Sequence, residues 1–325
     1  MAADDNITTT HFIFPRRHWL PLVLLALGLA TRFAFVGWPD AVVFDEVHSG
    51  KFVSSYFTGE YAFDVHPPLG KLLTAFALKV AGFRPEFTFA NIGEHYANMP
   101  YAAFRFFPSF FGALIPLAGY WLARELNFTR LAAFAAGLLL VFDNALLTHS
   151  RFAVFDSLML LLGLTGLAAF LRGRRKTYRL RWLLAAGAAI GLAVATRWTG
   201  LAFLAAAIAL LGWDTAADFW KRGMSFFQSE NHLFIVKALP LLLLIPLVIY
   251  ILAFAVHFSL LTKPGSGSAF MSSDFPAKNF PAKFFELNRV MYTANTRILT
   301  PHQYSSKPYT WPLLLRPVYY WNGGT

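Results

Sequence analysis

The main pattern along the chain is a series of apolar stretches, most of them long enough to form a membrane-spanning helix. A span needs about 20 mostly apolar residues to cross a hydrocarbon core roughly 30 Å thick. Seven stretches are predicted as spans on this basis: residues 19–36, 101–123, 131–147, 152–171, 182–195, 199–213 and 234–258. The sequence therefore predicts an all-α integral membrane protein with about seven transmembrane helices.

The polar stretch after the first span, residues 38–100, contains two further helical patterns. Between 45 and 57 apolar side chains recur at helical spacing, and Gly59 supplies a natural stop. Between 67 and 80 the apolar positions form one stripe of an amphipathic helix, and the proline pair at its start fits a first turn. Both helices are expected to lie in the membrane interface rather than to cross it.

Composition supports a membrane protein and excludes several classes of function. Of the 325 residues, 57% are hydrophobic and only 14% are charged, which is too apolar for an ordinary soluble domain. The net charge of +11 lies in short clusters between apolar segments, so it does not indicate a nucleic-acid-binding face. The chain has no cysteine, which excludes disulfides, thiolate metal sites and a cysteine nucleophile.

The basic clusters predict the orientation of the spans. They lie before the first span and at every second connection between successive spans, and all of these positions are on the same side of the membrane. By the positive-inside rule that side is the cytoplasm. The clusters are Arg16 and Arg17, Arg124 and Arg130, the run 172–181, and Lys221 with Arg222. The first span has no small-residue cleavage site, which indicates an uncleaved segment. The N-terminus is thus predicted in the cytoplasm, with 38–100 and the residues after His257 on the outer face.

Acidic side chains are concentrated at the start of the first outer stretch, where Asp45 and Glu46 follow an apolar span. One interpretation is structural: Asp45 is the N-cap of the interfacial helix, and Glu46 is a favourable charge in its first turn. The other interpretation is catalytic, with a carboxylate that removes the proton of a hydroxyl acceptor during a displacement. The choice between the structural and the catalytic interpretation depends on the residues around this pair.

Asp64 and His66 form a second candidate group, directly before Pro67 and Pro68. Proline biases His66 to extended geometry, which sets the direction of both side chains. Either they cap the second interfacial helix, or they orient Asp45 or an acceptor. A divalent metal held by Asp64, His66 and Glu46 is compatible with these residue types, although the spacing does not require one.

Arginines are found where the positive-inside rule does not expect them. Arg32, Arg105, Arg151 and Arg197 lie at the outer ends of the first, second, fourth and fifth predicted spans. Arginine at a span end can snorkel to the interface, but four such residues favour an anionic partner. Guanidinium groups bind phosphate oxygens bidentately and stabilise charge on a departing phosphate. We therefore predict a phosphate site at the outer face.

Asp156, just inside the fourth predicted span, is a further candidate because ionisable groups within spans are commonly functional. Internal pairing with Arg151 or another arginine is the simpler alternative. A base and a phosphate site on the outer face have no access to nucleotides, and the chain has no glycine-rich phosphate loop. The expected donor is a sugar phosphate carried by a lipid.

Several ordered motifs resemble those of one enzyme family. They are FDEVH at 44–48, FDVHPPLGK at 63–71, FDNA at 142–145, SRF at 150–152 with Asp156 and Ser157, RWTGL at 197–201, and YTWPLLLRP at 309–317. Together they resemble the signatures of the protein O-mannosyltransferases, glycosyltransferases of the GT-C fold. The resemblance extends over nearly the whole chain, which makes it more specific than any single motif.

The resemblance implies an inverting transfer of mannose from a polyprenyl phosphate to Ser or Thr hydroxyls of secreted polypeptides. It implies that Asp45 is the catalytic base, with Glu46 completing the acidic pair. Arg32 and Arg105 match arginines that matter for activity in the family, and Asp64 matches a further functional acid. The phosphate role of Arg151 and Arg197 is inferred from their position instead.

Two departures from the family pattern set expectations for the organisation of the chain. Eukaryotic members carry a β-trefoil MIR domain after the seventh span, and residues 269–309 leave no room for it, so a prokaryotic cell membrane is expected. The family also continues with about four more spans. We therefore expect a C-terminally truncated chain, with a catalytic module at 1–258, its catalytic loop at 38–100, and an outer loop at 259–325.

Two other functions remain open on the sequence. A GT-C relative with the same donor could glycosylate a lipid or a glycan, which a screen of acceptors would distinguish. A non-catalytic protein that binds or transports lipid phosphates would tolerate loss of Asp45 but not of the arginines.

Overall fold

The computed structural model describes residues 19–175, 179–297, 306–313, 315 and 320. Within these ranges the chain forms eleven α-helices, joined by loops and short 3-10 turns, and no strand beyond two isolated β-bridges. The helices are α1 (Trp19–Phe33), α2 (Glu46–Thr58), α3 (Leu69–Val80), α4 (Tyr101–Glu125), α5 (Arg130–Phe142), α6 (Asn144–Arg151), α7 (Asp156–Arg175), α8 (Arg179–Thr196), α9 (Leu201–Arg222), α10 (Glu230–Leu260) and α11 (Phe280–Thr296). The predicted all-α class is confirmed.

Four helical segments of the described chain are long and apolar enough to cross a membrane: Tyr101–Glu125, Asp156–Arg175, Trp198–Gln228 and His232–Leu260. The bent pair α5 and α6 makes a fifth if it counts as one span, and the apolar helices Trp19–Phe33 and Leu180–Thr196 are shorter. Each predicted apolar stretch thus contains a helix. The number of seven spans stays a prediction.

The predicted third span, 131–147, is wrong as one continuous helix. The chain bends by 55° between α5 and α6 at Asp143, whose backbone is extended. The Asp143 carboxylate accepts a hydrogen bond from Leu146 N at 2.8 Å and so caps α6. The next helix begins at Asp156 rather than at 152, because Phe152 is also extended.

The two helices predicted in the stretch 38–100 are confirmed with small shifts, and their location in the membrane interface stays a prediction. Helix α2 begins at Glu46 and ends before Gly59, whose positive φ of 77° supplies the left-handed cap expected at that position. Helix α3 begins at Leu69, directly after the proline pair. A buried apolar cluster joins α2 and α3 to the start of α4; its members include Val42, Val53, Leu78, Phe89 and Phe104.

The bundle is closely packed around α4, α7, α8 and α10. Helix α1 lies against α4, and a Cβ atom added at Gly28 would come within 2.4 Å of the Ala113 carbonyl oxygen. Small residues at such crossings let membrane helices approach closely. The basic cluster Arg16 and Arg17 and part of the run 172–181 lie outside the described residues, as does part of the 309–317 motif.

Candidate active site

A cavity of about 250 Å³ is lined by four of the nine ionisable residues singled out in the sequence, namely Asp45, Asp64, His66 and Arg197. It lies where the start of α2, the link between α2 and α3, the start of α7 and the residue after α8 come together. Its polar lining residues are Asp45, His48, Ser49, Asp64, His66 and Arg197. Its apolar walls are Phe52, Phe63, Val65, Val154 and Phe155. Larger cavities lie elsewhere, but they do not combine carboxylates, imidazoles and a guanidinium in this way.

Asp45 occupies the N-cap position of α2, yet its side chain makes no capping hydrogen bond. The backbone serves the helix instead, since the Asp45 carbonyl accepts from His48 N at 3.0 Å and from Ser49 N at 2.9 Å. Partial burial raises the pKa of Asp45 above its usual value, and the charges of His48 and Arg197 oppose this rise. The carboxylate is therefore free to accept a proton in the cavity.

His48 lines the same cavity and was not singled out as a site residue by the sequence. It follows Asp45 by three residues, so the two side chains share one face of α2. This spacing of three residues is the sequence signal that could have identified His48 as a site residue.

Asp64 and Lys71 form a buried ion pair on the α3 side of the cavity. The Lys71 ammonium donates to Asp64 Oδ2 and, at 2.8 Å, to the His66 carbonyl. Burial alone would raise the pKa of Asp64, but the charge and hydrogen bond of Lys71 more than offset it, so the pKa is lowered. Asp64 therefore stays ionised, and it is unsuited to be a base near neutral pH. The role of Lys71 was missed, although it stands in the predicted amphipathic helix.

His66 faces the cavity beside these charges. Burial, reinforced by the positive charge of Arg197, lowers the pKa of His66 to about 4. The imidazole is neutral at physiological pH, so it can donate one hydrogen bond and accept another.

Arg197 is the cavity's guanidinium group. Its Nη2 lies 3.1 Å from Asp156 Oδ2, and the same oxygen lies 3.4 Å from His149 Nδ1. The pairing expected as the alternative role of Asp156 is therefore present, although with Arg197 rather than Arg151. The Nε atom of Arg197 is buried without a hydrogen-bond partner in the described structure. Asp156 holds Arg197 at the cavity wall.

Glu46 and Asp45 separate, although they are adjacent in the chain. Glu46 is fully buried and forms a bidentate ion pair with Arg105, whose Nε and Nη2 atoms each lie 2.8 Å from one carboxylate oxygen. Three further donors complete its shell: Tyr96 Oη at 2.8 Å, Val43 N at 2.9 Å and Ala153 N at 3.1 Å. The expected acidic pair is not assembled in the cavity.

Three of the four arginines bind backbone carbonyls instead of lining the cavity. Arg105 donates to Pro39 O at 2.7 Å and Ala41 O at 2.9 Å, besides holding Glu46. Arg32 donates to the carbonyls of Leu140 and Val141, which the bend after α5 leaves without helical partners. Arg151 donates to those of Ala34 and Phe35, just after α1. Of the four arginines predicted for the phosphate site, one, Arg197, lines this cavity.

No group of three or more His, Asp or Glu side chains in the described ranges has a geometry that could hold a metal ion. Asp64, His66 and Glu46, which are compatible with a metal by residue type, are not brought together, because Glu46 is turned towards Arg105 and Asp64 towards Lys71. The cavity offers a carboxylate that can take a proton and a guanidinium that can balance an anion. Such a site suits displacement of an anionic leaving group by a hydroxyl.

Comparison with known proteins places the fold and its motifs in one family. Residues 22–262 match the family model described as "Dolichyl-phosphate-mannose-protein mannosyltransferase". Residues 280–325 match the "C-terminal four TMM region of protein-O-mannosyltransferase".

Similar curated proteins come from fungi and insects. The chain is 33% identical over 303 residues to dolichyl-phosphate-mannose–protein mannosyltransferase 4 of Candida albicans, covering 88% of this chain and 40% of that protein. It is 38% identical over 262 residues to protein O-mannosyltransferase 1 of Drosophila pseudoobscura, covering 78% of this chain and 28% of the relative. The chain thus spans less than half the length of these relatives.

Two solved structures have the same GT-C fold. The structure of the Saccharomyces cerevisiae protein O-mannosyltransferase Pmt1-Pmt2 complex bound to the sugar donor matches with a TM-score of 0.73 and 31% identity, over 80% of this chain and 36% of that chain. The Archaeoglobus fulgidus oligosaccharyltransferase matches with a TM-score of 0.51 and 16% identity, over 85% and 35%. The second likeness concerns the fold alone.

Proposed function

Since this chain belongs to the dolichyl-phosphate-mannose–protein mannosyltransferase family, we propose that it transfers mannose from a polyprenyl-phosphate carrier to Ser or Thr hydroxyls of proteins. The observation that carries the proposal is the carboxylate of Asp45, which makes no capping hydrogen bond to α2. It shares a cavity with apolar walls with Arg197. The relatives' names include both the donor and the protein acceptor, and a similar structure was solved with the sugar donor bound.

In the proposed reaction Asp45 is the general base. The acceptor hydroxyl attacks the anomeric carbon of the mannose while the bond from that carbon to the phosphate oxygen breaks. The hydroxyl proton passes to Asp45, and the electron pair of the broken bond leaves with the lipid phosphate. Attack opposite to the leaving group inverts the anomeric configuration. The raised pKa of Asp45 makes it a stronger proton acceptor than an ordinary aspartate.

Arg197 is the residue we propose for the departing phosphate. It is the arginine that lines the cavity, and its buried Nε has no partner in the described chain. A guanidinium that Asp156 already orients needs little reorganisation as charge develops on the leaving group. Neutral His66 can donate a hydrogen bond to the same phosphate or to the acceptor.

The other candidate residues are proposed as positioning residues. Glu46 and Arg105 hold the loop before α2 and thereby fix where Asp45 stands. Arg32 and Arg151 hold the end of α5 and the residues after α1 through backbone carbonyls. The Asp64–Lys71 pair fixes the wall that carries His66. Because of these contacts, loss of any of these residues would impair transfer although the residue itself does not contact the donor.

We propose that the cavity opens on the outer membrane face and that the N-terminus is cytoplasmic, because the basic clusters lie at the opposite helix ends. Residues 1–258 would form the catalytic module, and 259–325 would lead into the C-terminal spans. Only residues 263–279 separate the two family matches, too few for a β-trefoil domain, which supports a prokaryotic origin.

The test uses membranes that contain the protein, radiolabelled polyprenyl-phosphate-mannose and a Ser/Thr-rich acceptor peptide. Asp45→Asn is expected to lower transfer by about 100-fold or more while donor binding persists, because a general base contributes roughly that much. The matched control is Asp40→Asn, since Asp40 is an exposed aspartate near the start of the same loop and its ion pair in the described structure is with exposed His95. It should leave transfer unchanged.

Two results would count against the proposal. If Asp45→Asn transfers mannose at the wild-type rate, Asp45 is not the base. If the peptide stays unlabelled while a lipid or glycan receives label in an Asp45-dependent way, the acceptor is not a protein. Arg197→Gln is expected to weaken donor binding, which separates the phosphate role from the role of the base.

A further inference from the structure

A second cavity, of about 650 Å³, lies at the end of the bundle away from Asp45. It is lined by the C-terminal parts of α4 and α7 and by the first turns of α1 and α5. The candidate active site lies near the opposite ends of α4 and α7, so the two cavities are separated by the length of the bundle. The volume falls within the range of about 300–1,000 Å³ that is typical of ligand sites.

The lining of this cavity changes from apolar to basic along the helices. Its apolar wall is made by Pro21, Leu114, Leu117, Ala118 and Leu161. Its rim holds the three arginines Arg124, Arg130 and Arg172, with Trp121 between the two zones. Apolar depth below a cationic rim is the arrangement that an amphipathic anion needs.

One acid, Glu125, lines the cavity, and it is already used. Its Oε1 atom accepts from Arg172 Nη1 at 2.8 Å and from Trp121 Nε1 at 3.0 Å. Arg172 also lies over the ring of Trp182, 4.9 Å from the centroid. Glu125 therefore balances Arg172 and has little capacity for another cation.

The other two arginines are not neutralised. Arg124 donates to the neutral carbonyl of Phe128. Arg130 is exposed and has no ion pair or side-chain hydrogen bond with any residue that the structure describes. It is also the first residue of α5, where the helix dipole already favours a negative charge. Among the residues that the structure describes, these two positive charges thus have no counterion at the cavity.

The sequence next to these helices has no net negative charge. Residues 1–18 contain two acids, Asp4 and Asp5, and two arginines, Arg16 and Arg17, so their formal charges sum to zero, and the sequence after α7 continues with Lys176. The counterion is therefore best provided by the membrane around the helices.

We propose that this cavity binds an anionic phospholipid. Its phosphate lies between Arg124 and Arg130, and one acyl chain lies against Leu114, Leu117 and Leu161. Guanidinium groups match phosphate oxygens, and basic pockets between membrane helices on the cytoplasmic side are a recurrent form of anionic-lipid site. The site is separate from donor chemistry, so it does not depend on the proposed activity.

The test is lipid retention by the purified 325-residue protein in detergent, measured by native mass spectrometry. Phosphatidylglycerol and phosphatidylcholine with the same acyl chains are the probes. The wild type is expected to retain phosphatidylglycerol preferentially, and Arg124→Gln with Arg130→Gln should weaken that retention roughly 30-fold. The control, Lys221→Gln with Lys237→Gln, removes two charges at the same end of the bundle and should retain the lipid.

A second variant tests the cavity rather than its charge. Thr165→Phe narrows the apolar zone and leaves the arginines in place, so it should also reduce retention of phosphatidylglycerol. Its thermal unfolding without lipid shows whether it is folded. Equal retention of both lipids by the wild type would overturn the proposal, as would full retention by folded Thr165→Phe. The proposal would also be overturned if the full chain did not retain phosphatidylglycerol and a variant without residues 1–18 did. Those residues, rather than a lipid, would then occupy the cavity in the full chain.

Discussion

Asp45 and Glu46 have the same functional group and opposite surroundings. Asp45 makes no side-chain cap bond and faces a cavity, whereas Glu46 receives five hydrogen bonds in the protein interior. The five donors occupy both carboxylate oxygens of Glu46, and Glu46 does not line the cavity that Asp45 faces. The chemistry of this pair is therefore decided by which side of α2 each residue occupies.

The pH dependence of transfer tests the role of Asp45. Burial raises its pKa, so as the pH falls Asp45 is protonated, and the base is lost, above the ordinary aspartate value of 3.8. The acid limb of kcat/KM should therefore lie above pH 3.8, with transfer falling about tenfold per pH unit below the limb. Because charged His48 lowers the pKa of Asp45, His48→Gln should move the limb to higher pH.

His95→Gln is the matched control for that shift, since His95 is exposed and pairs with Asp40 outside the cavity. Its acid limb should coincide with that of the wild type. A limb that moves equally in both variants, or that moves down in His48→Gln, would contradict the assignment of Asp45 as the base.

At the scale of elements, the break between α5 and α6 is maintained from both sides. Asp143 caps the start of α6, and Arg32 from α1 binds the last carbonyls of α5. The two contacts replace helical hydrogen bonds that a continuous span would make. The bend is therefore a property of two polar side chains within an apolar stretch.

Asp143→Ala should destabilise the protein by about 1 kcal/mol, because the amide of Leu146 loses its side-chain acceptor. Thermal unfolding in detergent measures this loss. Asp143→Asn is the matched control, since asparagine is an equally good N-cap but carries no charge. If Asn costs as much as Ala, the charge of Asp143 near Arg32 matters, and the cap does not.

The elements differ in how far the sequence predicts them. Spacing of apolar residues together with Gly59 and the proline pair predicts α2 and α3 within two residues, because these signals are local. The bend at Asp143 has a local signal too, an N-cap residue followed by Asn144, but the apolar pattern continues through it. Hydropathy alone cannot separate a bent span from a straight one.

The candidate site, too, is predicted by local signals in part and depends on long-range packing for the rest. The sequence places Asp45, Asp64, His66, Asp156 and Arg197 in motifs, and the fold brings these five residues together. It does not predict that Arg105 turns to Glu46, because an arginine at a span end has the same pattern whether it binds phosphate or a carboxylate 59 residues away. Partners at such distances follow only from the packing of whole helices.

For the whole molecule, Glu46 is a side chain that joins several separate segments of the chain. It connects the loop before α2 to Tyr96, to Arg105 of α4 and to Ala153 before α7. Glu46→Gln would leave a buried guanidinium without its counterion, which typically costs about 3–5 kcal/mol. We expect a large fall in the unfolding temperature in detergent.

Glu94→Gln is the control, since Glu94 is a partly exposed acid of the same loop that accepts from Ala90 N and Asn91 N. It should unfold close to the wild type. If Glu46→Gln keeps wild-type stability but loses transfer, Glu46 acts in the reaction, and its role as a positioning residue is wrong.

The shell around Glu46 also sets an order of events during biosynthesis. The last donor, Ala153 N, is synthesised 107 residues after the acid. At translation rates of about 5–20 residues per second, this takes roughly 5 to 20 s. For that interval the hydrogen-bond shell of Glu46 is incomplete. The loop that carries Asp45 therefore reaches its final contacts only after α4, α5, α6 and the link to α7 have been translated.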